Sequence, residues 1–512
     1  MKIPKYVQNT IKSIEKAGFE AYIVGGCVRD LLMEKTPKDW DITTNAIPKE
    51  ILKIFPDSVY ENKFGTVGVK IKEKDKIIDI IEITTYRIES KYSDKRRPDK
   101  VRFTNSLEKD LSRRDFTINT MALRVKSSHN KQDRRKSVKS KIYKIKSYDV
   151  IDIFNGQKDF ENSIIDPFNG KKDLKNKIIR AVSKPDERFS EDALRMMRAV
   201  RFAVVLNFEI EPKTFKAIQK NAYLIKKIAN ERIRDEFIGI LKSDHPDLGI
   251  TLLKNLGILH YIIPELELGV GMKQNKHHIY TIFKHLILSL KYCPSNDYRV
   301  RLAALFHDIA KPQTKKGSGK GATFYNHDIV GAKISAKIMK RLAFSNEDIE
   351  KVTNLIKNHM FYYNVDEVSE AGVRRLVKKV GLENMKDLMD LRIADRLGSG
   401  VPKAKPYKLR HLEYLIDKVS KDPISVKMLK INGNDLIKKL KIEPGPKIGT
   451  ILDCLLAEII ENPKNNIKKY LEKRAKVLNQ LELKQLRKKA KLKIEERKEE
   501  ENKEIKQKHW VK

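Results

Sequence analysis

At 512 residues the chain is too long for one hydrophobic core, and we expect roughly three or four domains. Lysine and arginine outnumber aspartate and glutamate by 107 to 68, and a net charge of +39 favours a polyanionic partner. Nucleic acid is preferred to a membrane because no long apolar segment occurs, although a generally lysine-rich composition would also explain the charge. Three widely separated cysteines exclude a disulfide framework and paired zinc ligands, and they predict a cytoplasmic protein.

The first 125 residues predict a small α+β domain in which short strands follow a leading helix. The predicted helix and strands cover, in chain order, residues 5–17, 21–24, 40–43, 64–72 and 77–84. The last two form a predicted hairpin, because 64–72 alternates apolar and polar residues and the chain turns near Lys74 and Asp75. A further short helix is predicted at 29–33, directly after the turn that ends the first strand.

A glycine pair and two closely spaced aspartates mark this domain as a candidate nucleotide site. Gly25 and Gly26, with Arg29 nearby, allow the backbone to approach a ligand closely. Asp39 and Asp41 stand at positions i and i+2 of a strand and therefore point to one face. Paired carboxylates beside a phosphate-binding loop can hold Mg²⁺, as transfer of a nucleotide from a triphosphate requires.

A third carboxylate is usual in such sites, and two candidates lie on a later strand. Asp79 and Glu82 fall on opposite faces of that strand, so at most one of them can join the aspartate pair. We expect Glu82 to be that residue.

Two unusual stretches follow the first domain. Residues 126–146 are rich in lysine, arginine and serine and predict a surface loop. Residues 151–164 are then repeated as 165–178 with nine of fourteen positions identical, which is too short for a repeat architecture. We interpret the repeat as a neutral duplication inside a linker; a basic insert that contacts nucleic acid is the alternative.

From residue 192 onward, apolar residues at intervals of three and four predict an almost entirely helical body. The last residues, 476–512, are rich in lysine and glutamate with sparse apolar positions. They predict a solvated helix or a disordered tail without activity.

Several segments together resemble the bacterial class II tRNA nucleotidyltransferase and poly(A) polymerase family. The matching segments are 25–30 (phosphate loop), 39–41 (metal motif), 113–119 (RRDFTIN, contacts to sugar and phosphates), 165–180 (hinge) and 188–195 (EDxxR motif). In the third segment the resemblance implies nucleotide binding by Arg113, Arg114, Asp115 and Asn119.

The EDxxR segment carries the expected base specificity. Four charged residues follow one another at intervals of three and would share a broad face of one helix: Asp192, Arg195, Arg198 and Arg201. An aspartate can accept from an exocyclic amine while an arginine donates to ring acceptors, which suits cytosine and adenine. The resemblance implies this template role for Asp192 and Arg195 and phosphate contacts for the other two arginines. The alternative is a surface helix of ion pairs.

Six of the eleven histidines lie between residues 277 and 359, which indicates a second site. Imidazole and carboxylate ligands suit Mn²⁺, Fe²⁺, Ni²⁺, Co²⁺ or Zn²⁺ and phosphoester hydrolysis. This region resembles an HD phosphohydrolase domain, with an implied metal core of His285, His307, Asp308 and Asp395. His327 and His359 would complete a second metal site or bind substrate phosphate, and His278 also fits the pattern.

In related enzymes such a domain shows phosphatase, 2′-nucleotidase or 2′,3′-cyclic phosphodiesterase activity. A helical domain that holds tRNA and keeps only a vestigial site is the alternative.

The resemblance implies an α+β fold in which a small N-terminal mixed sheet precedes an elongated helical body. The expected units are a nucleotidyltransferase palm (1–125), a basic insert with the duplicated segment (126–164), a nucleotide-recognition neck with a helical RNA-binding region (165–262), an HD domain (263–405), a helical tRNA-binding domain (406–475) and the tail (476–512).

The implied reaction adds C, C and A to the 3′ end of tRNA from CTP and ATP with Mg²⁺ and without a nucleic-acid template. Residues 89–98 resemble the flexible loop of full CCA-adding enzymes, and poly(A) polymerases typically carry a more basic sequence than residues 62–67. The alternatives are A-only addition, poly(A) synthesis, a metal-dependent phosphohydrolase with an RNA-binding N-terminal half, and a purely RNA-binding protein.

Overall fold

The structure is a computed structural model, and it describes residues 2–60, 65–73, 76–90, 100–125, 143–145, 148–152, 157–274, 279–401, 403–420, 426 and 429–511. Most of the basic stretch 126–146, most of the flexible-loop segment 89–98, residues 62–64 and His278 therefore lie outside the described residues.

The strands are β1 (Lys2–Pro4), β2 (Ala21–Val24), β3 (Asp41–Thr44), β4 (Val59–Tyr60), β5 (Thr66–Glu73), β6 (Lys76–Thr85), β7 (Arg87–Ser90), β8 (Lys100–Phe103), β9 (Ala122–Leu123), β10 (Tyr143–Ile145), β11 (Tyr148–Asp152), β12 (Ile164–Ile165), β13 (Ile178–Ile179) and β14 (Glu209–Ile210).

The helices of the first half are α1 (Lys5–Lys16), α2 (Gly26–Leu32), α3 (Pro48–Ile54), α4 (Leu107–Ser112), α5 (Gln157–Asn162), α6 (Gly170–Lys175), α7 (Pro185–Glu191), α8 (Leu194–Leu206), α9 (Pro212–Asn221), α10 (Asn230–Leu241) and α11 (Pro246–Asn255).

The helices of the second half are α12 (Leu259–Ile262), α13 (Pro264–Glu267), α14 (Ile282–Lys291), α15 (Tyr298–Phe306), α16 (Lys311–Thr314), α17 (His327–Arg341), α18 (Asn346–Asn358), α19 (Glu370–Val380), α20 (Leu382–Gly398), α21 (Tyr407–Ser420), α22 (Gly433–Leu440), α23 (Pro446–Glu461), α24 (Lys468–Asn479) and α25 (Leu483–Lys508). None of these described helices is long and apolar enough to cross a membrane.

The main sheet is mixed, with the strand order β12-β9-β2-β3-β6-β5-β4. Its two central strands, β3 and β6, run parallel, and the predicted hairpin is formed by β5 and β6. Val7, Ile11 and Ile14 recur at helical spacing on α1 and are fully buried against the sheet. The predicted α+β fold is confirmed, and the helix expected at 29–33 begins earlier, at Gly26.

The duplicated segment is not a plain linker, because each copy folds as strand, helix and strand. The first copy runs from β11 through α5 to β12, and the second runs from β12 through α6 to β13. β11 pairs with the N-terminal strand β1, whereas β12 pairs with β9 at the edge of the main sheet. Phe160 and Leu174 occupy equivalent positions in the two copies, and both pack against the core under the sheet. Full burial of Phe160 stabilises this arrangement by about 2 kcal/mol.

Two further cores lie beyond the sheet. The body core is a continuous cluster built largely from α7–α21, and the C-terminal core joins α22–α24 to Leu486 of α25. The domain boundaries expected from the sequence remain predictions.

The tail is packed at both ends, unlike the solvated or disordered tail expected from its composition. Near its start, Cys454 donates a hydrogen bond of 3.3 Å to the carbonyl oxygen of Leu486. At its far end, Ile505 and Val511 are buried in the body core, and Lys508 lies 2.6 Å from Asp417 of α21. A few apolar residues at the ends of a charged helix are enough to anchor it, and a composition average hides them.

Candidate active site and metal cluster

The two aspartates of the metal motif are held by a thiol from the phosphate loop. Asp41 begins β3, and Asp39 lies in the exposed turn that precedes this strand. Buried Cys27 on α2 donates a hydrogen bond to the carbonyl oxygen of Asp39 (3.0 Å) and accepts one from the backbone N–H of Asp41 (3.2 Å). The turn is therefore tied to the glycine loop. No sequence pattern pointed to Cys27 except its place between the glycine pair and Arg29.

Gly25 leaves room where an arginine and a carboxylate converge. It joins β2 to α2 with a φ of 77°, a conformation that favours glycine. A Cβ atom here would lie 3.0 Å from Arg114 Nη1 and 3.6 Å from Asp41 Oδ2. Burial raises the pKa of Asp41, Arg114 opposes that rise and Asp39 adds to it. A carboxylate whose ionisation is disfavoured in this way gains from a nearby divalent cation.

The pairing of β3 with β6 determines which candidate for the third carboxylate stands beside Asp41. Asp41 pairs with Glu82 across parallel strands, so both side chains leave the same face of the sheet. Tyr6 donates a hydrogen bond of 2.6 Å to Asp79 Oδ2, which ties Asp79 to α1 instead. The register supports Glu82, whose role stays a prediction.

The RRDFTIN motif links the glycine loop to α8. Arg29 bonds to Asp30 (2.6 Å) and donates to Asn119 Oδ1 (3.0 Å), and Asn119 donates to Asp115 Oδ1 (3.1 Å). Arg198 of α8 then donates to Asp115 Oδ2 (2.8 Å). Burial alone would raise the pKa of Asp115, but Arg198 and the hydrogen bonds outweigh it and lower the pKa to about 2.

Asp192 does not share a helix with the three arginines, so this part of the sequence prediction was wrong. It follows α7 in an extended conformation (φ −131°, ψ 104°), and α8 begins at Leu194. Its Oδ1 accepts a hydrogen bond from the backbone N–H of Leu194 and thereby caps the first turn of α8. The preference of aspartate for helix starts is the local signal that could have indicated this break.

The two predicted template residues are each held by other charged groups. Arg195 donates to Glu191 Oε2 (2.8 Å) and to the carbonyl oxygen of Arg113 (2.9 Å), which joins the EDxxR and RRDFTIN motifs. Arg232 on α10 lies 3.2 Å from Asp192 Oδ2, and its buried Nη1 has no hydrogen-bond partner among the described residues. Because 40 positions separate Arg232 from Asp192, no local pattern could reveal this pair.

Arg198 and Arg201 contact carboxylates. Arg198 bonds to Asp115 as described, and Arg201 donates to Glu236 Oε2 of α10 at 2.6 Å. Both guanidinium groups, together with that of Arg29, lie 4.5–5.4 Å from the centre of the Phe202 ring. A phosphate contact by either arginine, as the sequence predicted, would compete with these ion pairs.

All six predicted HD ligands come together within the body core. They are His285 on α14, His307 and Asp308 after α15, His327 at the start of α17, His359 after α18 and Asp395 on α20. All are buried except Asp395, whose side chain is 16% exposed.

Asp308 presents one oxygen to each of two histidine pairs. Its Oδ2 lies 3.2 Å from His285 Nε2 and 3.4 Å from His307 Nε2. Its Oδ1 lies 3.3 Å from His327 Nε2 and 3.8 Å from His359 Nε2. This is the placement expected of a carboxylate that bridges two metal ions.

Backbone contacts orient three of these imidazoles for metal binding. His307, His327 and His359 each bond through Nδ1 to the carbonyl oxygen three residues earlier, at 2.9, 2.7 and 2.7 Å. A carbonyl can only accept, so Nδ1 carries the hydrogen and Nε2 of the neutral ring keeps its lone pair for a metal.

The electrostatics of the cluster also suit a cation. Burial lowers the pKa of His359 to about 4, which keeps that ring neutral. Burial also favours a lower pKa for His307, but the carboxylates of Asp308 and Asp395 outweigh burial and raise the pKa of His307 to about 10. A divalent cation would compete with the proton that these carboxylates hold on His307.

A cavity of about 480 Å³ opens beside the cluster. Its wall combines Asp308, His327 and His359 with the basic side chains of Lys311 and Arg392. Lys311 Nζ lies 2.6 Å from Asp308 Oδ2, so a positive charge stands directly beside the candidate bridging carboxylate.

Three family models match successive parts of the chain. Residues 21–180 match the "Poly A polymerase head domain", 207–268 the "Probable RNA and SrmB- binding site of polymerase A" and 322–475 "tRNA nucleotidyltransferase domain 2". The first region contains both aspartates of the metal motif, and the third contains His327, His359 and Asp395.

Solved structures support the fold, and curated relatives define the family. A CCA-adding enzyme of Bacillus stearothermophilus in complex with CTP is similar with a TM-score of 0.55 and 24% identity, over 93% of this chain and 97% of that one. The CCA-adding enzyme of Lactiplantibacillus plantarum is 33% identical over 459 residues, which cover 89% of this chain and 92% of the relative. That of Ligilactobacillus salivarius is 33% identical over 474 residues, which cover 91% and 95%. With full-length relatives at this identity and the metal motif in place, the chain belongs to the CCA-adding enzyme family of nucleotidyltransferases.

Proposed function

We propose that the protein adds C, C and A to the 3′ end of tRNA, using CTP and ATP and releasing pyrophosphate. The observation that carries this proposal is the convergence of Gly25, Arg114 and Asp41 around one space. The names of the full-length relatives and the CTP bound to the B. stearothermophilus enzyme support the substrates. A tRNA substrate implies a cytoplasmic location, which three buried cysteine thiols suit.

The residues of the sheet fit a magnesium site. Asp39 and Asp41, with Glu82 on the same face of the neighbouring strand, would hold Mg²⁺. When bound, Mg²⁺ supplies positive charge that favours the deprotonated primer hydroxyl and the leaving pyrophosphate. Arg114 offers a second cation beside the glycine loop for the triphosphate, and Cys27 keeps the metal turn against that loop.

Base choice would come from Asp192 and Arg195 at the junction of α7 and α8. A carboxylate that accepts from an amine and a guanidinium that donates to ring acceptors match cytosine and adenine and mismatch uracil and guanine. Arg232 and Glu191 hold the two side chains in place before a base arrives. Incorporation of GTP or UTP as efficient as that of CTP and ATP would contradict this assignment.

The catalytic assignment is tested with a tRNA transcript that lacks CCA. Asp41→Asn should abolish extension while tRNA binding persists, and Glu82→Gln should reduce the rate strongly. Asp79→Asn is the matched control, because Asp79 lies on the same strand as Glu82 but bonds to Tyr6. Equal rates for the Glu82 and Asp79 variants would remove Glu82 from the site.

The extent of addition is measured with transcripts that end before CCA, before CA and before A. Full CCA addition predicts extension of all three to the same final length. An A-only enzyme would extend only the third, and a poly(A) polymerase would add long A tracts to each of them.

We propose as a second function that the histidine cluster is a metal-dependent phosphohydrolase of the HD type. Asp308, with its two oxygens turned toward two histidine pairs, supports two ions of Mn²⁺, Fe²⁺, Ni²⁺ or Co²⁺. The adjacent cavity, with Lys311 and Arg392 on its wall, would take a phosphoester of the 2′- or 3′-nucleotide type.

Metal content tests this second function separately from activity. Elemental analysis should show that His327→Ala binds one ion fewer than wild type and that Asp308→Ala loses both. His260→Ala is the control, because His260 is exposed and its ring bonds to Glu267 instead. Unchanged metal content in Asp308→Ala, or no phosphoesterase activity in the metal-loaded enzyme, would refute the assignment.

A further inference from the structure

One fully buried carboxylate lies beside the nucleotidyl-transfer site without belonging to any of its motifs. Asp110, on α4, has no exposed surface. A buried charge is tolerated only when it is paired and hydrogen-bonded, and Asp110 uses both of its oxygens. Burial alone would raise its pKa, but Arg113 and Arg114 outweigh that effect and keep the pKa below the ordinary value.

The partners of Asp110 come from three parts of the site. Its Oδ1 accepts from Arg113 Nε (2.9 Å) and from the backbone N–H of Arg87 (3.3 Å). Its Oδ2 lies 3.8 Å from Arg114 Nη2 and 3.2 Å from the hydroxyl of Thr43, which shares its one hydrogen between Asp110 and the carbonyl oxygen of Thr84 (3.1 Å). Thr43 stands two positions after Asp41 on β3, so one carboxylate joins the metal strand to the arginine pair.

Arg114 extends from this anchor to the glycine loop. Its Nη2 faces Asp110, whereas its Nη1 lies 3.0 Å from the point where a Cβ of Gly25 would stand. Its Nε is buried and makes no hydrogen bond within the part of the chain that the structure describes, and its side chain is only 18% exposed. The guanidinium is therefore held at one end, and its other end faces the space where a triphosphate would meet the loop.

We propose that Asp110 is a positioning residue that sets Arg113 and Arg114 for the phosphates of the incoming nucleotide. The inference rests on the proposed use of CTP and ATP. Asp110 acts through the arginines, so its loss should weaken binding of the phosphates and spare binding of the nucleoside.

The test measures the affinity of the full-length protein for tripolyphosphate and for cytidine, as competitors of a fluorescent CTP analogue. Asp110→Asn keeps the shape of the side chain and removes its charge, and we expect about tenfold weaker binding of tripolyphosphate. Cytidine affinity should change by less than about twofold, because no charged hydrogen bond to the nucleoside is removed.

A matched control separates positioning from general destabilisation. Asp297 is also a carboxylate with a depressed pKa, and it holds Arg299 and Lys351 in the helical body. Asp297→Asn should lower the melting temperature and leave both affinities unchanged. If Asp110→Asn does not fold, Thr43→Val serves as a milder variant. It should weaken the binding of tripolyphosphate by a smaller factor than Asp110→Asn.

Four results are possible. Selective loss of tripolyphosphate binding supports the inference. Equal weakening of both competitors, or wild-type affinity for both, overturns it. Wild-type protein that binds neither CTP nor tripolyphosphate would instead refute the proposed function.

Discussion

The ion pair between Asp115 and Arg198 should make the stability of the nucleotide site depend on pH. The carboxylate accepts from Arg198 and Asn119 and is nearly buried, with 10% of its side chain exposed. Its pKa falls from an ordinary 3.8 to about 2. Since each unit of pKa change corresponds to about 1.4 kcal/mol, ionised Asp115 contributes on the order of 2–3 kcal/mol to the free energy of unfolding.

The sign follows from the direction of the pKa change. The pKa is lower in the folded state, so the contribution is fully present above about pH 4 and disappears as pH falls toward 2. Asp115→Asn has no such titration. At pH 6 the variant should therefore lack on the order of 2–3 kcal/mol of unfolding free energy that comes from this ionisation, and that part of its deficit should vanish near pH 2.

Tryptophan fluorescence during urea unfolding provides the assay. The chain has two tryptophans: Trp40 is buried in the core under the main sheet, whereas Trp510 is 80% exposed. A Trp510→Phe background leaves Trp40 as the reporter of that core. A difference between wild type and Asp115→Asn that stays constant from pH 6 to pH 2 would refute the reasoning.

Three further predictions concern the site and the tail. Gly25→Ala should lower kcat/KM for tRNA extension by more than about tenfold, because alanine is strained at a φ of 77° and its Cβ would crowd Arg114. A wild-type kcat/KM would contradict this expectation. Cys27→Ala should raise the Mg²⁺ concentration needed for half-maximal rate, because the turn of Asp39 loses its tie to the glycine loop. Cys27→Ser keeps both hydrogen bonds and should need the same Mg²⁺ concentration as wild type. Deletion of 501–512 should lower the melting temperature by several degrees in scanning calorimetry, because it removes Ile505 and Val511 from the body core. An unchanged melting temperature would show that the tail adds no stability.

Features that depend on neighbouring residues were predictable from the sequence. Alternation of apolar and polar residues on both sides of a short turn predicted the hairpin of β5 and β6. The order of histidines and aspartates predicted the set that meets at Asp308. The expectation that Asp39 and Asp41 both stand on a strand was wrong, because β3 begins at Asp41 and Asp39 lies in the turn before it.

Features that depend on distant pairing or on a single backbone angle were not predictable. Spacing alone placed Asp192 on a continuous helix, because periodicity cannot register one extended residue between two helices. Arg232 and Glu236 hold residues 40 and 35 positions away, and nothing in their own surroundings indicates those partners. Asp110 was missed for the same reason, since its partner Thr43 lies 67 positions earlier.

The duplicated segment adds chain at one edge of the main sheet, away from the strands of the candidate site. Both copies run strand, helix, strand, and the second copy ends at β13, before α7 begins. Only the outermost strand of the main sheet belongs to the duplication, and the strands that carry Gly25, Asp41 and Glu82 lie further in. Loss of 151–164 would remove two of the three β11 residues that pair with β1 and one of the two β12 residues that pair with β9. We therefore expect a loss of these fourteen residues to disturb that edge of the sheet and to leave the order of the central strands β2, β3 and β6 unchanged.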